Sequence, residues 1–169
     1  MAATIEIDEA NGAGETLTHG ITNSNMGSAD EVNTVATSNA IAPSTRTYVK
    51  YQKVHVTAMG GSSKINNLKV WRNGALGSGG SHTHVTNART TSYGGAITYA
   101  TPTRSAVTGV DQTMPSSVPA SANLGIAGSL SGSLTGTGSS DYLAHQIVVD
   151  SGATAGSTST LTFQYDETA

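Results

Sequence analysis

Cysteine is absent from this 169-residue chain, and charged and aromatic residues are scarce. The lack of cysteine excludes disulfides, thiolate zinc sites and a cysteine nucleophile. Charged residues make up 11% of the chain, against about 25% in typical soluble domains. No apolar run approaches the roughly 20 residues of a membrane-spanning helix, and a net charge of -3 gives no electrostatic case for nucleic-acid binding. We therefore expect neither a membrane nor a nucleic acid as a partner.

The chain is rich instead in small and hydroxyl-bearing residues, with 20 glycines and 46 serines and threonines. No window keeps an apolar i, i+3, i+4, i+7 pattern over three turns, so helices are not expected. Hydrophobic residues still reach 36%, which is enough for a folded core. The pattern predicts an all-β fold, a single β-sandwich or jelly-roll-like domain.

Alternating apolar and polar residues predict five strands. In the last of them the apolar face is formed by Leu161, Phe163 and Tyr165. We expect Phe163 and Tyr165 to anchor the core, together with Trp71, the only tryptophan. The five strands are predicted at 4–7, 47–57, 65–71, 143–149 and 158–165.

The segment 47–57 carries apolar residues at both odd and even positions, which face opposite sides of a strand. Tyr51 is at an odd position, and Val54 and Val56 are at even positions. Either the strand is buried on both faces, or a bulge near Gln52 resets the alternation. Both interpretations place it centrally in a sheet.

The domain organisation predicted is an extended N-terminal arm over 1–20, followed by the β-domain over 21–169. Six of the eleven acidic residues lie in the first 31 positions, and seven of the eight basic residues lie between 46 and 89. The acidic segment could therefore dock on the basic middle of its own or a neighbouring copy, and the alternative is that the uneven distribution arises by chance. Long Gly/Ser/Thr-rich loops are expected at 74–95 and 100–141, and we expect assembly with other subunits to cover the second.

Catalytic motifs are not found. The run Gly128-Ser129-Leu130-Ser131-Gly132 has leucine where a nucleophile elbow needs serine. Phosphate loops and dinucleotide-binding glycine patterns do not occur. Eleven acidic residues provide no spacing that selects a glycosidase pair. We therefore expect no enzymatic activity and no cofactor.

The histidines are weighed as metal ligands. His82 and His84 would lie on one face of an extended segment, and three copies around a trimer axis would supply six nitrogens to one metal ion. Solvated side chains in a Gly-flanked loop are the favoured interpretation, so no metal is predicted. His19, His55 and His145 have no companion at a matching spacing.

Six short stretches spread over the chain from about residue 20 to its end carry a resemblance to a known class of proteins. They resemble small virion structural proteins of tailed bacteriophages, and the stretches are Gly27-Ser28-Ala29-Asp30, Thr45 to Tyr51, Asn67-Leu68-Lys69-Val70-Trp71, Tyr99-Ala100-Thr101-Pro102, Ser121-Ala122-Asn123-Leu124-Gly125-Ile126 and Thr162-Phe163-Gln164-Tyr165-Asp166-Glu167. The resemblance implies a β-rich, multicopy accessory protein located in the virion.

The function predicted is that of a capsid decoration (cement) protein that binds and stabilises the head shell. Its partners would be the major capsid protein or other virion proteins and further copies of itself, most simply as a trimer. The alternative is a tail, fibre or baseplate component that contacts other tail proteins or binds a host-surface glycan through the 76–95 loop and Tyr93.

Overall fold

The computed structural model describes residues 1–32, 37–74, 76, 82–91, 93–152 and 159–169. The fold is all-β, with antiparallel pairing throughout the named strands. The strands are β1 (Thr4–Asn11), β2 (Thr16–Thr18), β3 (Lys50–Ala58), β4 (Lys64–Asn73), β5 (His82–Thr86), β6 (Gln112–Thr113), β7 (Ser133–Leu134), β8 (Gly138–Ser139), β9 (Leu143–Val149) and β10 (Thr160–Thr168). The described residues contain no helix with the length and apolarity that a membrane crossing requires.

Two sheets form the domain. The larger runs β2-β1-β3-β9-β5-β6, with β8 also pairing with β3, and the smaller runs β10-β4-β7. The main hydrophobic cluster joins the two sheets, since it contains Val56 of β3, Leu68 and Val70 of β4, and Leu143 of β9. The arrangement is therefore sandwich-like, with the core between the sheets.

The five predicted strands are confirmed, with ends that differ by a few residues. The 74–95 segment differs from its predicted loop, because β5 lies inside it and pairs with both β9 and β6. Two residues of β5, Val85 and Thr86, are buried. Residues 75, 77–81 and 92 of the segment lie outside the described residues.

The predicted N-terminal arm over 1–20 is wrong, because these residues belong to the larger sheet. Strand β1 pairs with β3 along seven residues, from Thr4↔Ala58 to Ala10↔Tyr51. On its other edge it pairs with β2. Three of the acidic residues of this segment, Glu6, Asp8 and Glu9, thus lie beside the chain's own β3, and Glu9 forms an ion pair with Lys50 of that strand.

The first part of strand β3 is buried on both faces, as the first of the two interpretations expected, whereas Lys53 and His55 on the outer face are half-buried. Val54 and Val56 face the cluster between the sheets, whereas Tyr51 belongs to a second cluster on the opposite face. That second cluster is covered by the segment that carries Ile97 and Tyr99. The pairing of β3 with β1 shows a register shift only at Thr4/Ile5, and none near Gln52.

The prediction that Trp71 anchors the core is wrong. Buried residues of β4 are Ile65, Leu68 and Val70, and Trp71 follows Val70 on the opposite, outward face. Its indole Nε1 donates to Asn73 Oδ1 at 3.2 Å. The other two predicted anchors, Phe163 and Tyr165, are half-buried on β10 and pack against the core cluster.

The prediction that assembly must cover the 100–141 segment is wrong for its central part. Met114, Leu124 and Ile126 are at most 3% exposed and belong to the chain's own core. Asn123 attaches this segment to β4, since its side chain accepts a bond from Val70 N and donates one to Val70 O, both at 2.8 Å. The side-chain amide of Asn123 thus makes the two hydrogen bonds to Val70 that a neighbouring strand would otherwise make.

The space between the sheets is polar at one end. Glu9 and Lys50 are fully buried there and form an ion pair of 2.9 Å between Oε1 and Nζ. Glu9 Oε2 also accepts from Gln52 Nε2 at 3.0 Å and from Ser24 Oγ at 2.5 Å. Each buried charge therefore has several partners, as burial of charges requires.

Candidate functional site

Two carboxylates and two imidazoles meet on the outer face of the larger sheet. Glu6 and Asp8 lie on the same face of β1, because side chains two residues apart along a strand share a face. His55 of β3 is the cross-strand partner of Glu6. His19 follows the last residue of β2 and reaches the same point.

The four side chains are close enough to share one ion. His55 Nδ1 lies 2.9 Å from Asp8 Oδ2 and 3.1 Å from Glu6 Oε1. His19 Nδ1 lies 2.9 Å from Asp8 Oδ2 and 3.7 Å from Glu6 Oε1. One ligand atom from each residue falls within 4.8 Å of every other. We call these four residues the His₂-carboxylate₂ cluster.

The local backbone fixes the positions of these side chains. The turn after β2 is tied to β1 by a hydrogen bond of 2.8 Å from Ile21 N to Ile7 O. Gly20 has a φ of +61°, and its N–H donates to Asp8 Oδ1 at 3.3 Å. A Cβ at this glycine would lie 3.2 Å from Glu6 Oε2, so a side chain there would be strained and would crowd the carboxylate.

Burial decreases from one end of the cluster to the other. The Asp8 side chain is 3% exposed and the His19 side chain is 57% exposed. Glu6 and His55 are intermediate. The cluster therefore has a fixed inner ligand and an open side toward solvent.

The basic residue nearest in the sheet does not neutralise the carboxylates by an ion pair. Lys53 is the cross-strand partner of Asp8. Its Nζ instead lies 3.9 Å from the ring centroid of Tyr142, where a cation–π contact holds it. Within the described part of the chain, the ion-pair contacts of the two carboxylates are with the two imidazoles.

The predicted pair His82 and His84 does share one face of β5, but that face points into the protein. His84 is 6% exposed, and its Nε2 lies 2.9 Å from Nδ1 of His145, itself 3% exposed. His84 is thus neither a solvated loop residue nor a group available on the surface of an oligomer axis, and His82 is half-buried at the start of the strand.

Burial strongly disfavours protonation of this inner pair. It lowers the pKa of His84 to about 2, with smaller electrostatic contributions from His145 and Arg72. It lowers the pKa of His145 to about 3, and the neighbouring Lys50 adds to the effect. Both imidazoles are therefore neutral at physiological pH, and one N–H is shared between them.

Tyr93, the tyrosine considered for glycan binding, makes internal contacts, and so does the nearby Tyr99. Tyr93 donates its hydroxyl to Asp141 Oδ2 at 2.9 Å, and its ring lies beside Gly125. Burial, followed by the Asp141 contact, raises the pKa of Tyr93. Tyr99 packs on Tyr51 with ring centroids 4.9 Å apart.

The His₂-carboxylate₂ cluster was not predicted from the sequence. Glu6 lies in the predicted strand 4–7, but Asp8 lies beyond its predicted end, and only the longer β1 of the structure places both carboxylates on one face. The pairing of Glu6 with His55 requires the register of β1 and β3, and the position of His19 requires the turn after β2. A spacing search along the chain cannot bring residues 6, 8, 19 and 55 together.

Comparison with known families and structures finds nothing similar. No protein-family model matches the chain, and searches of curated proteins and of solved structures find no match either.

Proposed function

We propose that this chain is a non-enzymatic structural protein of a phage virion, a decoration protein that binds the head shell in many copies. The proposal follows from the resemblance of its sequence to small virion proteins. The structural observation that supports it is the outer edge of β10, a nine-residue strand at the border of the smaller sheet, with which no other described strand pairs.

The outward backbone groups of β10 can be identified from its partner strand. Arg72 N donates to Pro115 O, away from β10, and both backbone groups of Val70 bond to Asn123. Leu161 is opposite Arg72, and Phe163 is opposite Val70. These are non-hydrogen-bonded pairs, so the N–H and C=O groups of Leu161 and Phe163 point away from β4.

This edge has few of the features that usually block strand pairing. Among the described residues no strand pairs with its outer side, and its sequence TLTFQYDET contains no lysine, arginine or proline. The register shift between Gln164 and Asp166 interrupts only its second half. The first half, Thr160 to Gln164, is therefore suited to accept a strand of the major capsid protein.

Copy number in the virus particle tests the proposed function. Quantitative mass spectrometry of purified particles should find hundreds of copies, in a fixed ratio to the major capsid protein. A few to a dozen copies would instead support the tail or fibre alternative. Absence from particles would overturn the structural role altogether.

Hydrogen exchange tests the proposed mode of binding. In the free protein the amides of Leu161 and Phe163 should exchange rapidly, whereas the amide of Thr162, directed toward β4, should be protected. On shells the first two should become protected and the third should change little. High copy number without this protection would keep the decoration role and refute strand addition at β10.

A further inference from the structure

We propose that the His₂-carboxylate₂ cluster of Glu6, Asp8, His19 and His55 is a structural zinc site. It would join β1, the turn after β2 and β3 through one Zn²⁺ ion. This site is separate from the β10 edge and does not depend on the proposed role in the virion.

The distances fit a tetrahedral ion. Zn–N and Zn–O bonds of about 2.0–2.2 Å place the ligand atoms of a tetrahedral site about 3.4 Å from one another. The four nitrogen–oxygen distances of the cluster are 2.9, 2.9, 3.1 and 3.7 Å. Movements of a few tenths of an ångström would bring all of them to the expected value.

The orientation of His55 supports the same conclusion. Its Nδ1 is buried and lies near both carboxylates, yet it makes no hydrogen bond of acceptable geometry within the described part of the chain. The ring nitrogen is therefore not directed at either oxygen. A ligand of a metal ion has this relation to its neighbours, because it points at the ion. His19 Nδ1 is hydrogen-bonded to Asp8 Oδ2 at 2.9 Å, and it would exchange this contact for the ion.

Charge and donor type select a divalent transition metal. Two carboxylates and two neutral imidazoles carry a charge of -2, which one divalent cation neutralises. Imidazole nitrogen suits zinc, whereas magnesium and calcium prefer sites made of oxygen alone. Four protein ligands leave no open position, which is typical of structural zinc and not of catalytic zinc.

A hydrogen bond from outside the cluster holds Asp8 in place. Asp8 accepts a bond from Gly20 N through Oδ1, while its Oδ2 faces the histidines. Such contacts orient metal ligands and increase affinity. His19 is the most exposed member, so it provides the side from which the ion would enter.

Zinc titration of the full-length, tag-free protein tests the site after chelator treatment and dialysis. Isothermal titration calorimetry should show one Zn²⁺ per chain, with a micromolar or lower Kd and a rise in Tm. Co²⁺ in place of Zn²⁺ should give the intense visible absorption of a tetrahedral complex. No 1:1 binding below millimolar zinc would overturn the proposal and leave direct contacts between the histidines and the carboxylates as the explanation of the cluster.

Two matched histidine variants assign the ligands. His19→Ala removes an exposed side chain from a turn, so the fold should survive, and it should weaken Zn²⁺ binding by at least about 100-fold. His82→Ala removes a histidine from β5 in a different part of the sheet and should change the Kd by less than threefold. Equal affinities of wild type and His19→Ala would refute the site.

Discussion

The buried pair His84 and His145 should make the protein sensitive to mild acid. A histidine whose pKa is lowered by folding binds protons more readily when unfolded, so the unfolded state gains stability as the pH falls below its own pKa of about 6.5. The histidine contribution is thus fully present above that value. It is lost between pH 6.5 and about 3 for His145, and down to about 2 for His84.

The size of the effect follows from the unfolded state. In the unfolded chain at pH 5.0, the protonated form of an imidazole with a pKa of about 6.5 outnumbers the neutral form about thirtyfold. This protonation lowers the free energy of the unfolded state by about 2 kcal/mol for each histidine. His84 and His145 together should therefore reduce the free energy of unfolding by about 4 kcal/mol between pH 7.5 and 5.0. Domains of this kind are stable by only about 5–15 kcal/mol.

Urea unfolding at the two pH values measures this loss. The reference is the double variant His84→Gln/His145→Asn, whose amides replace the two nitrogens that contact each other. A chelator in all samples removes any contribution of metal at His19 and His55. The wild type should lose about 4 kcal/mol more than the variant. Equal pH dependence within about 0.5 kcal/mol would show that the pair takes up protons in the folded state, and the reasoning from burial would fail.

Three further substitutions test the packing. In urea unfolding, Glu9→Ala should cost about 3–5 kcal/mol of stability because it leaves Lys50 charged and unpaired in the interior. The double variant Glu9→Met/Lys50→Met should recover most of this loss. Unchanged stability of Glu9→Ala would contradict the ion pair. Asn123→Ala should cost about 2–4 kcal/mol because two buried backbone groups lose their partners, and a thermal unfolding curve that matches wild type would disprove its strand-like role. Trp71→Ala should destabilise the protein less than Leu68→Ala, for which about 2–5 kcal/mol is expected; the reverse order would restore tryptophan to the core.

Alternation along the sequence was sufficient for the main strands, because one apolar face repeats every second residue. It failed for Trp71 through a local irregularity. Asn67 has a φ of +52°, and it shifts the buried positions from the odd Ile65 to the even Leu68 and Val70. Size and rarity favoured the aromatic side chain as an anchor, but the shifted parity turns it outward.

The 100–141 segment has few apolar residues, and for that reason it was expected to be covered by other subunits and not by the chain's own core. Its apolar residues are single, yet Leu124 and Ile126 are inserted into the core. Asn123 makes this possible, since it satisfies both the N–H and the C=O of Val70. The candidate site could not be predicted for a related reason. Its four residues are far apart in the sequence and come together only through the register of β1 with β2 and β3.

The position of β9 has a consequence for how the chain folds during synthesis. This strand lies between β3 and β5 in the larger sheet, although it is made after both of them. Until the ribosome has released residues 143–149, β3 lacks one neighbour and β5 cannot join the sheet. Such distant pairings slow folding to milliseconds or seconds. We therefore expect this domain to fold after translation of β9, in one late step, and not strand by strand as it emerges.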